Sequence, residues 1–235
     1  MVVGMMLRIT CVGRFVCRVK SSHCPNVCHK HPCGGRNMTY DTMYGRVELT
    51  NDGLYEAAGE SDRRYPLAHG RVGSLYLSAA NAVQRDDAAM SFVKVLNKGL
   101  TKVYVVTDNM QKYADLLPAE QILDVRSCAD KISQLSTEME ERYIDLLNAD
   151  CVHAEDYNNR NYIKMQLIFV ILDALDSYAD GLGAAMYPLV RISQKGRAAG
   201  INVVACAVDD SPTDFAQVLK SNCSACFVRD NVADN

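Results

Sequence analysis

The sequence predicts an α/β fold with a largely parallel central sheet, and three observations carry that expectation. The first is a run of six apolar residues, Leu167 to Leu172, that ends on Asp173. An uninterrupted apolar run of that length, closed by a carboxylate, suits a strand covered on both faces, as in a parallel sheet. The second is the helical spacing of Leu182, Met186, Leu189, Val190 and Ile192 just beyond it. The third is another apolar strand, Ile201 to Val208, entered through Gln194-Lys-Gly-Arg-Ala-Ala-Gly200, which reads as a basic, glycine-containing turn. Together they form one strand–helix–strand unit. Asp173 then stands at the carboxyl end of its strand, where open α/β sheets keep their ligand crevice.

Length and composition fit that fold. A chain of 235 residues, 49% of them hydrophobic, suits one large domain or one domain with an appendage. A formal net charge of −3 excludes polyanion binding by bulk electrostatics, so any nucleic-acid contact has to be local. No apolar run reaches the length that spans a bilayer. Arg8, Arg14 and Arg18 interrupt the apolar N-terminal stretch, which argues against a signal peptide or anchor. The expected location is the cytoplasm, with membrane association only through a larger complex. The ten cysteines are then expected as reduced thiols.

Residues 1–45 stand apart as a cysteine-rich leader, disordered or not native to the folded unit. Cys11, Cys17, Cys24, Cys28 and Cys33 are interleaved there with His23, His29 and His31. A zinc site from Cys24, Cys28, Cys33 and one histidine would supply four tetrahedral ligands. The absence of paired CxxC knuckles weighs against it, and no metal site is expected. A start at Met38 or Met43 is the other explanation of the segment.

The remaining residues, 46–235, are expected to form the folded domain. Arg46 to Thr50 alternates like a half-exposed strand, Asn51-Asp-Gly53 is a turn signal, and Tyr65-Pro-Leu67 leads into the domain proper. Gly73 to Ser78 reads as the first core strand. A loop over Ala79 to Asp86 follows, then a helix from Asp87 to Asn97 capped by Asp86 or Asp87, with Phe92, Val95 and Leu96 facing the core. Lys102 to Thr107 is a second strand and Gln121 to Val125 a short one. A long helix over about Ala129 to Asn148 carries Ile132, Leu135, Met139, Tyr143 and Leu146 on one stripe. Glu138 and Arg142 form an i,i+4 pair on it, worth only a few tenths of a kcal/mol. A helix from Phe215 to Lys220 and a strand from Ala225 to Val228 close the chain. Cys223 and Cys226 form a CxxC that enters a strand, not a helix N-terminus, so ordinary thiols are expected there.

Arg191-Ile-Ser-Gln-Lys-Gly-Arg-Ala-Ala-Gly-Ile201 closely resembles the segment after the Walker B strand in DNA translocases of the FtsK/SpoIIIE family. The ATPases of type VII secretion (EssC/EccC) carry a looser version. Glu138-Met-Glu-Glu-Arg-Tyr143, followed by Glu155-Asp-Tyr-Asn158, is similar to another stretch of the same motor domain. Order and spacing of the blocks match, and the resemblance covers about residues 65–235. It implies a RecA-like P-loop NTPase fold, α/β, with five strands near residues 75, 103, 168, 202 and 226. It also implies that the chain stops short of a full motor domain and belongs to a longer multi-domain protein.

The same resemblance locates a nucleotide pocket and marks how this chain departs from it. Aligned on GxxxxGK[ST], Ala79 falls on the first glycine, Gln84 on the second, Arg85 on the lysine and Asp86 on the hydroxyl residue, with Asn81 inside the loop. Glycines let successive backbone N–H groups turn inward on phosphate, and alanine and glutamine resist those angles. Arginine keeps the lysine's charge with a different shape. Asp86 places a carboxylate where the magnesium-binding hydroxyl would be. At ~4 Å from Asp173 the two charges would interact by about 4 kcal/mol at a near-surface dielectric. Asp173 matches the magnesium-shell aspartate, but the water-activating glutamate after it is Ala174 here. The Thr-Gln sensor pair is replaced by Cys206-Ala207. Asp176 and Asp180 are expected a helical turn or more away from the site.

The degenerate pocket is therefore expected to consist of Asp173, Arg85, Asp86 and Asn81, with no catalytic residue. Arg191, Lys195 and Arg197 are expected to meet a neighbouring subunit or a phosphate backbone, or else to lie on a solvated turn. The implied function is a non-hydrolysing FtsK-like domain acting as scaffold, regulator or substrate-docking module in a type VII secretion or DNA-translocation assembly. The alternative is an ATP-binding DNA translocase domain. No cofactor is expected, with ATP and Mg²⁺ the exception if the pocket still functions. Implied partners are other FtsK-like ATPase domains in a ring or tandem array, a secreted substrate protein, or double-stranded DNA.

Overall fold

The computed structural model describes residues 73–97, 99–208 and 213–223 in full, and the backbone of strands at 38–42, 45–50, 53–57, 64–66 and 224–227. The zinc reading of Cys24, Cys28 and Cys33 lies outside the described residues. Strands β1 (Met38–Thr42), β2 (Gly45–Thr50), β3 (Gly53–Ala57) and β4 (Arg64–Pro66) form an antiparallel meander in that order. Thr50 pairs with Gly53, so β2 and β3 are in register on either side of the Asn-Asp-Gly signal.

The main sheet holds β5 (Leu75–Ala79), β6 (Thr101–Thr107), β7 (Ile122–Asp124), β8 (Leu167–Leu172), β9 (Ile201–Val208) and β10 (Ser224–Phe227). Their order is β10-β5-β9-β8-β6-β7, and every pairing is parallel. The five expected strands are all present. The short stretch after Gln121 adds a sixth at the edge, beside β6.

Both faces of this sheet are covered, which explains why β8 reads as an unbroken apolar run. Side chains alternate with the pleat. On one face Val106, Ile168, Val170, Leu172, Val203 and Ala205 pack with α2 (Ala129–Asn148), α5 (Met186–Ala199) and α6 (Asp214–Asn222). On the other, Leu77, Val105, Phe169, Ile171, Val204 and Cys206 pack with α1 (Ala82–Leu96) and with Tyr113 and Leu117. Phe92, Val95 and Leu96 are buried as expected. A short α3 (Ala154–Arg160) covers a satellite cluster around Leu146 and Met165, and α4 (Leu175–Tyr178) follows β8.

The segment Gln194 to Gly200 differs from the expected turn. It is the last part of α5, and only Gly200, at φ 71°, leaves the helix in the left-handed conformation. Gly196 is tolerated inside the helix because a Cβ there would lie 1.7 Å from the Ile201 carbonyl oxygen. The glycine therefore permits close helix–strand contact rather than a bend. The Arg142 guanidinium, buried on α2, donates to the Ala199 carbonyl at 2.9 Å and binds Glu138 at 2.7 Å. Held by Glu138 on its own helix, the Arg142 guanidinium clamps α2 to the C-terminus of α5, where the macrodipole favours a cation. Glu138 with Arg142 is more than the surface pair its spacing suggested. No helix among the described residues is long and apolar enough to cross a membrane.

Candidate functional site

Three strands converge on Asp173. It follows the last residue of β8, beside Thr107 at the end of β6 and level with Cys206 in β9, and its side chain is 2% exposed. One carboxylate oxygen, Oδ2, accepts from the Thr107 hydroxyl at 3.0 Å, the Tyr113 hydroxyl at 3.0 Å and the Lys112 ammonium at 3.3 Å. The other, Oδ1, lies 3.3 Å from the Tyr178 hydroxyl, which also donates to the Val106 carbonyl at 2.7 Å. Burial pushes the Asp173 carboxyl above its usual range, and the Lys112 charge with the Thr107 and Tyr113 hydrogen bonds pulls the other way. Burial and the Asp173 charge also push the Tyr113 and Tyr178 hydroxyls far up, which keeps them neutral donors.

The expected loop over Ala79 to Asp86 is not formed. Between the last residue of β5, Ala79, and the first of α1, Ala82, stand only Ala80 and Asn81. Gln84, Arg85 and Asp86 are already helical. The helix is capped by Asn81, not by Asp86 or Asp87: its side chain accepts from the Gln84 N–H at 3.0 Å. Gln84 Oε1 in turn accepts from the Ala80 N–H at 3.1 Å. This is close to a capping box, the reciprocal pairing of a cap residue with a Gln or Glu three positions on. The signal was present as Asn81-Ala-Val-Gln84, followed by good helix formers.

A set of ion pairs spans these elements. Lys112, in the single 3₁₀ turn Met110–Tyr113 after β6, reaches Asp173 at 3.3 Å and Asp86 at 3.4 Å. Arg85, with its side chain 9% exposed, binds Asp86 through Nη2 at 2.9 Å and Asp176 through Nη1 at 2.7 Å, and also reaches the Ser177 hydroxyl. Asp176 Oδ1 accepts from the Val208 N–H at 3.2 Å. Burial works against the Arg85 charge, but the hydrogen bonds and charges of Asp176 and Asp86 outweigh it and hold its pKa above the ordinary value.

Of the sequence-derived pocket, Asp173, Arg85 and Asp86 come together, while Asn81 serves as a helix cap. Asp176, expected away from the site, is inside it, because α4 begins directly after β8 and turns this carboxylate onto α1. Lys112, Tyr113, Thr107 and Tyr178 were not foreseen. Their spacing carries no motif, and only the strand-end position of Thr107 could have drawn notice.

The second set of residues lies elsewhere. Since α5 runs back antiparallel to β8, its C-terminal turn lies at the opposite end of the sheet from Asp173, ~20 Å away by helix rise. Arg191 binds Glu140 on α2 at 2.5 Å. The Tyr143 hydroxyl donates to the Lys195 carbonyl. Lys195 and Arg197 are exposed, two positions apart on a helix, and therefore diverge. At the other end of the chain Cys223 ends α6, and burial pushes its thiol up to about 12. Cys226 lies in β10, beyond the described side chains.

No protein-family model and no curated protein sequence matches the chain. Solved structures do. EssC (ATPases 2 and 3) from Geobacillus thermodenitrificans superposes with a TM-score of 0.54 at 15% identity, covering 85% of this chain and 38% of that one. The pCW3 conjugation coupling protein TcpA, monomer form with ATPγS, gives 0.53 at 16% identity, covering 69% and 49%. Thermomonospora curvata EccC (ATPases 2 and 3), in complex with a signal sequence peptide, gives 0.50 at 11% identity, covering 78% and 34%. The chain thus spans between about a third and a half of these three structures.

Proposed function

The RecA-like P-loop ATPase fold shared with secretion and conjugation ATPases is the premise from which we propose a non-hydrolysing, FtsK-like domain. Its role is that of a scaffold, regulator or substrate-docking module beside other ATPase domains, in a type VII secretion or DNA-translocation assembly. The observation that carries this is the Lys112 ammonium held between Asp173 and Asp86, the two carboxylates that would flank a nucleotide-bound cation. The residues present do not fit MgATP. Phosphate is cradled by a nest of inward-turned backbone N–H groups, and a two-residue connection in which side chains take the Ala80 and Gln84 N–H groups offers fewer of them than a glycine-rich loop. Magnesium needs oxygen ligands, and the Asp173 oxygens already face Thr107, Tyr113, Lys112 and Tyr178. Three carboxylates against two cations leave the cluster at a formal charge of −1, which repels a polyphosphate. Ala174 stands where a water-activating base is required, and Asp176 is engaged by Arg85.

Calorimetric titration of the full chain with ATP and a slowly hydrolysed analogue, with and without Mg²⁺, tests the proposal. No heat of binding at millimolar nucleotide is expected. Binding that disappears in Asp173→Ala would overturn it in favour of an ATP-binding translocase domain. So would a salt-sensitive affinity for double-stranded DNA that falls when Lys195 and Arg197 are replaced.

A further inference from the structure

The cluster around Lys112 and Arg85 ties the start of α1 to the segments after β6 and β8, which the Thr107, Tyr113 and Tyr178 hydroxyls also join to each other. Arg85 and Asp86 belong to the first turns of α1, which follows β5. Lys112 follows β6, Asp173 and Asp176 follow β8, and Asp176 holds the backbone N–H of Val208 at the end of β9. Each link is charge-assisted and at most part-exposed: side-chain exposure is 9% for Arg85, 18% for Lys112 and Asp176, and 2% for Asp173. Such bonds are the stronger class and are weakly screened when shielded from water. A dissociable ligand bridging several strand ends would hold them together only while bound, and the ends would relax when it left.

We infer that this ion-pair cluster is a built-in, non-dissociable replacement for a bridging ligand. It fixes the carboxyl ends of β5, β6, β8 and β9 in one arrangement, so that the domain presents a constant surface to its neighbours instead of alternating between two. The inference rests on the reading above that nucleotide is not bound. It adds that the site has kept a mechanical task after losing its ligand. Asp86 is the shared carboxylate between the two cations, and it is also the most exposed member, at 43%. It is therefore the member that can be neutralised with least disturbance to the core.

Hydrogen exchange on the full chain, followed by mass spectrometry over residues 80–86, 107–113, 173–178 and 206–208, reads the effect directly. The wild-type protein is expected to protect these segments, with no change on adding ATP and Mg²⁺. Lys112→Met and Asp86→Asn are each expected to speed exchange roughly tenfold in segments remote from the substitution, residues 173–178 included, the size expected for losing a part-buried charge-assisted bond. Residues 142–148 and 197–203, at the other end of the sheet, should not change. Unchanged exchange at 173–178 in both variants, with no nucleotide effect in the wild type, would overturn this inference and leave the proposed function standing. Slower exchange in the wild type on adding nucleotide would overturn both. Should Lys112→Met fail to fold, Asp86→Asn decides alone.

Discussion

Gly196→Ala separates the observed helix from the turn that the sequence suggests. A Cβ on residue 196 would lie 1.7 Å from the Ile201 carbonyl oxygen, 2.9 Å from its carbon and 3.1 Å from Ile192 Cγ2. Real Cβ contacts do not fall below 3.0 Å, so α5 has to withdraw by about 1.3 Å, the difference between 3.0 and 1.7. The obstacle is backbone, which no rotamer change relieves. Withdrawal loosens Leu189, Ile192 and Ala199, all fully buried, and stretches the 2.9 Å bond from Arg142 to Ala199. Overpacking of this kind costs about 1–3 kcal/mol, and weakening a hydrogen bond to a charged group adds about 1 kcal/mol. Alanine returns about 1 kcal/mol through helix propensity. The net is a destabilisation of ~2 kcal/mol, or roughly 4–8 °C in Tm for a domain of this size. Urea denaturation followed by circular dichroism measures it. An unchanged or raised midpoint would show that residues 194–200 form a solvated turn, and would remove the argument that glycine is there for close packing against β9.

Three further outcomes follow from the same geometry. Arg142→Met removes the donor to Ala199 and the partner of Glu138 while keeping most of the buried aliphatic volume, and should cost about 2 kcal/mol in urea denaturation. An exposed i,i+4 pair would cost a few tenths instead. Asn81→Ala deletes the cap on α1 and should cost about 1 kcal/mol in urea denaturation, whereas Asn81→Ser, which keeps a side-chain acceptor at the cap, should fall within about 0.5 kcal/mol of wild type. Asp173 has a folded pKa raised by burial above its unfolded value of about 3.9. Between those two values the folded state holds the proton and the unfolded state does not. The contribution of Asp173 to stability is therefore present below about pH 4 and is lost as pH rises through the raised pKa. The stability of wild type relative to Asp173→Asn should decline over that interval, and a relative gain would refute the assignment.

Several elements are specified by local physics and could be read directly from their residues. Leu167 to Leu172 and Ile201 to Val208 are strands with the bounds their runs imply, because strands covered on both faces are apolar at nearly every position, Asn202 being the exception. Helix α2 keeps its expected limits, and Ile132, Leu135, Met139 and Leu146 are buried on the expected stripe, since helical periodicity over twenty residues is a strong signal. Asp173 was located by position alone, at the tip of a central strand. Tertiary structure decided the rest. Arg85 meets Asp176 across 91 positions of sequence, Lys112 meets Asp173 across 61, and Arg142 meets Ala199 across 57. None of these pairs has a local spacing that could announce it. The third forms because α2 packs against α5, and the first two because a parallel sheet gathers the carboxyl ends of strands distant in sequence onto one edge. There, paired burial makes a lysine and an arginine the partners of carboxylates that a motif would have assigned to a metal.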